Sequence, residues 1–377
     1  MTPAPDEQPA APSWQWQTAS KYTMGAVGAL CRGFLLRLST TEVHGLDRFL
    51  ELLDERENVE ERERGLITVS NHVSVLDDPM IWGILPMRYI MNCDNMRWGL
   101  GSYDLCFQNK ALSTFFTLGQ VLPTHRSAHS EFGGLFQPTI AQAIRLLSRG
   151  PFLQPTDPPT KPNKSMRSPD VSDPFSGGHL TFSTNGRDTF PSPAAYLNRR
   201  HSWVHIFPEG MIHQHEERTM RYFKWGVSRL ILESDPLPDI VPMWIEGPDL
   251  VMHETRTFPR FLPRPFKNVS ITFGDKLDGE KVFGDLRARW QAMRARAEAK
   301  SEERLEVGVL NDTLKYSDEA VALRKECTTR IRQAVLDVRR TRGHLDEDPK
   351  AGLAETWKIE GPKREGEKDD GSWTKDT

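Results

Sequence analysis

The segment Asn71-His72-Val73-Ser74-Val75-Leu76-Asp77-Asp78-Pro79 follows a β-branched run, Leu66-Ile67-Thr68-Val69, and precedes a dense apolar stretch beginning at Met80. The upstream run has the composition of a short buried strand. Pro79 suits the first turn of a helix, with Asp78 as its expected N-cap. The segment is therefore predicted to be a strand-to-helix turn. In a continuous helix His72 and Asp77 would stand about 140° apart and could not share a face. In a turn the Asp77 carboxylate can accept a hydrogen bond from one imidazole nitrogen, fix the tautomer and leave the other nitrogen as a base. A polar turn with a capping aspartate fits the same spacing, and the spacing does not choose between them.

Working outward, Trp14 to Leu38 carries Trp14, Trp16 and Tyr22 at one end and Arg32 and Arg37 further on. It is too short and interrupted for a bilayer span, and suits either a helix at the headgroup level or one packed on the main domain. Glu51 to Arg64 is strongly charged. Met80 to Leu122 is rich in aromatic and aliphatic residues, which would serve equally as core or as an acyl-chain groove. Leu118 to Arg126 reads as a strand ending in a cation, and Pro138 to Arg149 as a helix stopped by Gly150. Pro151 to Arg200, crowded with Pro, Ser, Thr, Asp and Gly, is expected to be a flexible insertion. Folding resumes at the alternating strand Ser202-Trp203-Val204-His205-Ile206-Phe207, which ends in Pro208-Glu209-Gly210. That tight turn is expected to present the Glu209 carboxylate outward.

Next come a basic-aromatic turn, Arg221-Tyr222-Phe223-Lys224-Trp225, running into a short helix, and a strand from Ile240 to Ile245. Pro242 marks that strand as an edge or a bulge. Phe258 to Lys267 alternates aromatic, proline and cation, as either a membrane-surface loop or an exposed connector. It precedes a strand at Val269 to Phe273. Ala320, Leu323, Cys327, Ile331, Ala334 and Val338 form one stripe of an amphipathic helix. From Gly343 onward the chain is polar and expected to be disordered.

Composition narrows the classes. A length of 377 residues allows one large domain or two ordinary ones, and a hydrophobic fraction of 37% implies that long polar segments dilute the core. A formal net charge of -3 supplies no global attraction to nucleic acid. The four cysteines are scattered without zinc or disulfide spacing and are read as free thiols. His201, His205, His213 and His215 lack a matching acidic pattern, so no metal site is expected. Met1 to Pro12 has the chemistry of neither a secretory signal nor a transit peptide.

In order along the chain stand Asn71-His72 with Asp77, Gly119 to Arg126, Phe207-Pro208-Glu209-Gly210, and Val241-Pro242. Together they resemble the four successive blocks of the glycerolipid acyltransferase superfamily. Within it the chain is similar to the tafazzin family of phospholipid-lysophospholipid transacylases, which remodel cardiolipin. That likeness rests on Ser70-Asn71-His72, Asp77-Asp78-Pro79, Trp82-Gly83-Ile84-Leu85, Met96-Arg97-Trp98, Asp104-Leu105-Cys106-Phe107, Trp203 to Gly210, and Phe223-Lys224-Trp225-Gly226-Val227 with Arg229-Leu230-Ile231. The insertion and the C-terminal extension suggest a fungal-type member.

The resemblance implies an α/β fold: a mixed, largely parallel sheet flanked by helices, with strands near Leu66, Val121, Val204, Val241 and Val269. It covers roughly Trp14 to Leu277 apart from the insertion, and implies an acyltransferase domain over 46–290 that contains the 151–200 insertion; around that domain the chain is expected to have a disordered start and an interfacial membrane-anchoring helix over 1–45, a helical extension over 291–345 and a disordered tail over 346–377. It makes His72 and Asp77 catalytic, with Phe207, Pro208, Glu209 and Gly210 holding the glycerol portion and Arg126 and Lys224 binding phosphate. It implies no cofactor, since exchange of one ester for another needs neither ATP nor acyl-CoA. Its substrates would be cardiolipin, monolysocardiolipin and phosphatidylcholine, and its place a mitochondrial membrane facing the intermembrane space, as a homo-oligomer or in larger assemblies, without nucleic acid. An acyl-CoA-dependent lysophospholipid acyltransferase and a non-catalytic membrane scaffold are the alternatives.

Overall fold

The computed structural model describes residues 14–127, 130, 132–149, 181–185, 188, 190–191, 201–301, 305–357, 365–367 and 373–375. Most of the expected insertion at 151–200 therefore lies outside the described residues. Helix α1 (Trp14–Leu38) leads into β1 (Ser39–His44), α2 (Leu46–Glu55), β2 (Leu66–Val69), α3 (Asp77–Gly83), β3 (Gly99–Ser102), α4 (Lys110–Leu118), β4 (Val121–Thr124) and α5 (Pro138–Leu147). After these come β5 (Trp203–Ile206), α6 (Gly226–Glu233), β6 (Asp239–Glu246), β7 (Lys267–Phe273), α7 (Gly279–Ser301) and α8 (Asp318–Thr341).

Five strands form the main sheet in the order β1-β7-β6-β2-β5, with β6 and β7 antiparallel and the other pairs parallel. Such a sheet is covered on both faces, which is why β2 reads as a continuous apolar run rather than an alternating one. Ile67, Val69, Val204 and Ile206 face one core with α5, α6, α7 and α8. Leu66 and Trp203 face the other, against α2 and α3. The expected strand at Val121 forms, but pairs with β3 in a separate two-stranded sheet. That sheet is joined to β5 by a bridge between Trp98 and Val204. The edge position goes instead to β1, although Ser39 to His44 fall within the segment expected to associate with the membrane.

Pro242 does not mark an edge, because β6 lies between β7 and β2. Its carbonyl accepts from Gly274 N at 2.8 Å, so the position without an N–H faces Gly274, one residue past the end of β7, rather than β2. The domain boundary expected at 290 falls inside α7. Part of the expected disordered tail is also structured: Pro349–Gly352 and Ala354–Trp357 form helical turns.

Helix α1 has two faces. Trp16, Ser20, Met24, Gly25, Gly28 and Leu35 are buried, while Trp14, Tyr22, Leu30 and Leu36 are exposed. Trp16 therefore belongs to the core, stacked on Trp98 at 6.3 Å, and only Trp14 of the two is placed for an interface. The buried face caps neighbouring helices: Arg32 donates to the carbonyls of Ile84 and Leu85, just past the end of α3, and Ser20 Oγ to that of Leu118 at the end of α4. Among the described residues no helix is long and apolar enough to cross a membrane.

Candidate active site

β2 ends at Val69, and the chain turns over Ser70 to Leu76 before α3 starts at Asp77. Asn71 fixes the turn to the sheet: its amide donates to the Ile245 carbonyl and its oxygen accepts from Ile245 N, both at 2.9 Å. Asp77 Oδ2 then draws the loop together, accepting from Val73 N at 2.6 Å and Ser74 N at 2.8 Å. The same oxygen lies 2.8 Å from His72 Nδ1. The turn therefore brings His72 and Asp77 together and leaves Nε2 as the nitrogen available for chemistry.

Asp77 is fully buried, and burial raises its pKa, opposed by the hydrogen bond and charge of His72 and by the backbone donors. The His72 side chain is 21% exposed, so the pair is open to substrate on the histidine side. Its ring stacks on Phe207 with centroids 4.3 Å apart. Its main chain is held on both sides, by Glu209 Oε1 on its N–H and by His213 N on its carbonyl, each at 2.8 Å.

Asp78 is not the helix cap expected of it. It lies within α3, in an ion pair with Arg97 and accepting from Trp82 Nε1 at 2.8 Å. Burial works against its ionisation, but the charge and hydrogen bonds of Arg97 outweigh it and hold the carboxyl below its ordinary range.

Glu209 also departs from expectation. It is 2% exposed, and its second oxygen accepts from Arg221 N at 2.8 Å. A buried carboxylate needs donors, and two main-chain N–H groups supply them. Glu209 is thus turned inward to clamp His72 rather than outward as expected. Burial pushes its pKa up to about 8, against the pull of those two N–H groups and of the Arg332 and Arg221 charges. Pro208 is buried beneath the turn, and Gly210, at φ 66°, sits in the left-handed region. A Cβ at Gly210 would lie 2.7 Å from Lys224 Cδ, so the glycine lets the exposed Lys224 side chain cross the turn.

Arg126 sits at the end of the strand as expected, but its guanidinium is paired with Asp104, Nε donating to Oδ1 at 2.9 Å. At 14% exposure it links the segment after β4 to the helical turn Tyr103–Cys106 that carries Asp104. Beneath the site, His205 is buried and holds Thr68 Oγ1 at 2.8 Å from its Nδ1. Burial lowers its pKa to about 3, partly offset by Asp78. The structural roles of Asn71, Arg97, His205 and Arg221 were not read from the sequence. The first three lie within stretches that carry the family resemblance, but nothing in their spacing announces the partners they find.

No family model matches the chain. Tafazzin of Saccharomyces cerevisiae is 35% identical over 322 residues, covering 83% of this chain and 76% of its own length. Tafazzin of Drosophila melanogaster is 28% identical, covering 74% of this chain and 56% of its own. An N-acylphosphatidylethanolamine synthase of Arabidopsis thaliana is 26% identical, covering 67% and 68%. Among solved structures, the 1-acyl-sn-glycerophosphate acyltransferase PlsC of Thermotoga maritima aligns over 77% of this chain and 83% of its own. Its TM-score is 0.38 at 14% identity, and nothing further rests on that likeness. Identity to the yeast protein over this much of both sequences settles the kinship: the chain belongs to the tafazzin family of phospholipid-lysophospholipid transacylases.

Proposed function

We propose that the chain moves acyl chains between phospholipids and lysophospholipids without CoA, with His72 as the base. The carrying observation is the 2.8 Å contact between His72 Nδ1 and the buried Asp77, which leaves Nε2 on the exposed side of the pair. In this reading Nε2 takes the proton from the free hydroxyl of a lysophospholipid as its oxygen attacks the acyl carbonyl of a donor ester. The imidazolium then returns that proton to the departing glycerol oxygen. One ester forms and one breaks, so the step is close to thermoneutral and needs no ATP or thioester. A positioned base is worth roughly 10² to 10⁴ in rate, so orientation must contribute substantially as well.

Lys224, exposed beside Gly210, is the proposed contact for a headgroup phosphate, whereas Arg126 would first have to exchange its Asp104 partner. Val75, Leu105 and Phe115 are exposed apolar side chains on the segments around the site, as acyl chains would require. Cardiolipin, monolysocardiolipin and phosphatidylcholine are the proposed substrates, and a mitochondrial membrane facing the intermembrane space the proposed place of work.

The membrane-facing surface in this reading is formed by Leu36 and Leu38 of α1 together with Phe258, Phe261 and Phe266. All are exposed, and Phe266 N donates to the Leu38 carbonyl. Arg256, Arg260 and Arg264 punctuate the loop, and burial together with the neighbouring Arg260 and Arg264 charges lowers the Arg256 pKa. Apolar side chains between clustered cations suit an anionic lipid surface.

Transfer of a labelled acyl chain from phosphatidylcholine to monolysocardiolipin is the test. His72→Ala should reduce it to background, and full transfer by that variant would sink the mechanism.

A further inference from the structure

The C-terminal helix α8 and the turns after it lie far along the chain from His72, yet they meet the segment that holds it. Arg332, on α8, donates from Nε to the Arg221 carbonyl at 3.0 Å and from Nη2 to the Met220 carbonyl at 2.6 Å. It also pairs with Glu347, whose other oxygen accepts from Met220 N at 2.9 Å. Arg221 N is the donor to Glu209. Every main-chain polar group of Met220 and Arg221 is therefore taken, three of the four by Arg332 and Glu347 and the last by the glutamate that holds His72 N.

The brace is built rather than incidental. The Arg332 and Glu347 side chains are 10% and 2% exposed. A Cβ at Gly352 would come within 3.1 Å of Arg332 Nη1, so the turn at Pro349–Gly352 closes over the guanidinium. Arg339, two helical turns on, donates to the carbonyls of Arg218 and Glu217 at 3.0 and 3.2 Å. Trp357 lies 4.6 Å from the Arg221 guanidinium and packs edge-on to His213, whose N–H holds the His72 carbonyl. Both main-chain anchors of His72 thus abut the C-terminal segment.

We infer that Arg332, with Glu347, is a positioning residue for His72, acting through Met220-Arg221 and Glu209. The inference rests on His72 being the base. The Arg332 side chain is engaged by Met220, Arg221 and Glu347, so its loss should move the base and leave lipid binding alone. A shift of about 1 Å at a reacting group can cost 10²-fold in rate. Lysine at this position keeps a charge but cannot span two carbonyls and a carboxylate at once.

The experiment compares full-length wild type with Arg332→Met, Arg332→Lys, Glu209→Gln and the Arg332→Met/Glu209→Gln double variant, with His72→Ala as control. Acyl transfer is measured per folded molecule, with the folded fraction taken from the thermal unfolding amplitude. Arg332→Met should lower kcat roughly 10- to 100-fold with KM for the lysolipid within about twofold, and Arg332→Lys should recover part of the loss. In the Glu209→Gln background Arg332→Met should cost much less, since both act along one path. Unchanged kcat per folded molecule in Arg332→Met, or a loss that adds fully to that of Glu209→Gln, overturns the inference. Activity in His72→Ala would instead overturn the reading beneath it.

Discussion

At the scale of single residues, the site depends on carboxylates whose environments differ. Asp77 and Glu209 are both buried and accept from main-chain donors, but Asp77 gathers its donors and the His72 imidazole on Oδ2 alone, whereas Glu209 takes one main-chain N–H on each oxygen. Asp77→Asn would keep the size of the side chain but present an amide that favours the wrong tautomer of His72 and weakens the loop. Its kcat should fall by about 10²- to 10⁴-fold with the fold retained, read by acyl transfer beside circular dichroism. His205 gives a second prediction. Its pKa in the folded protein lies near 3, below the ordinary 6.5, so the unfolded chain binds the extra proton first. Its contribution to stability is complete above pH 6.5 and is lost as pH falls toward 3, at about 1.4 kcal/mol for each pH unit crossed. Urea unfolding should show a shallower acid limb in His205→Gln than in wild type; identical limbs would remove His205 from the account of acid stability.

At the scale of elements, the packing of α1 on α3 turns on Gly83. A Cβ there would lie 2.8 Å from Cys31 Cβ and 3.2 Å from Arg32 N, so the two helices touch through glycine. Gly83→Val should cost about 1 to 3 kcal/mol in chemical denaturation by forcing them apart. A variant as stable as wild type would mean that α1 yields easily. Elements were legible where local chemistry and tertiary context agree. β2, α5 and the α8 stripe form where periodicity places them, because burial of one face or both follows directly from the pattern. Strand partners were less legible: nothing in Val121 says that it pairs with Gly99, nor in Ser39 to His44 that these polar and β-branched residues complete the sheet edge beside β7. The His72-Asp77 contact was readable as one of two options from spacing. The inward turn of Glu209 was not, because the donors that satisfy it come from His72 and Arg221, distant in sequence.

At the scale of the whole molecule, one side of the sheet carries α1 and its exposed Leu36 and Leu38 next to the Phe258 to Phe266 loop, while the other side carries the C-terminal helices. Replacing Phe261 and Phe266 together with serine should weaken binding to cardiolipin-containing vesicles by tenfold or more, at about 25 cal/mol per Å² of apolar surface withdrawn from water. Sedimentation with vesicles measures this, and unchanged binding would move the lipid contact elsewhere. The central claim concerns the reaction itself and is tested most directly by purified protein on vesicles of labelled phosphatidylcholine and monolysocardiolipin, with and without added acyl-CoA. Label should pass to cardiolipin at the same rate in both cases, and lysophosphatidylcholine should appear in equal amount. Transfer that occurs only with acyl-CoA, with the acyl group drawn from the thioester, would contradict it.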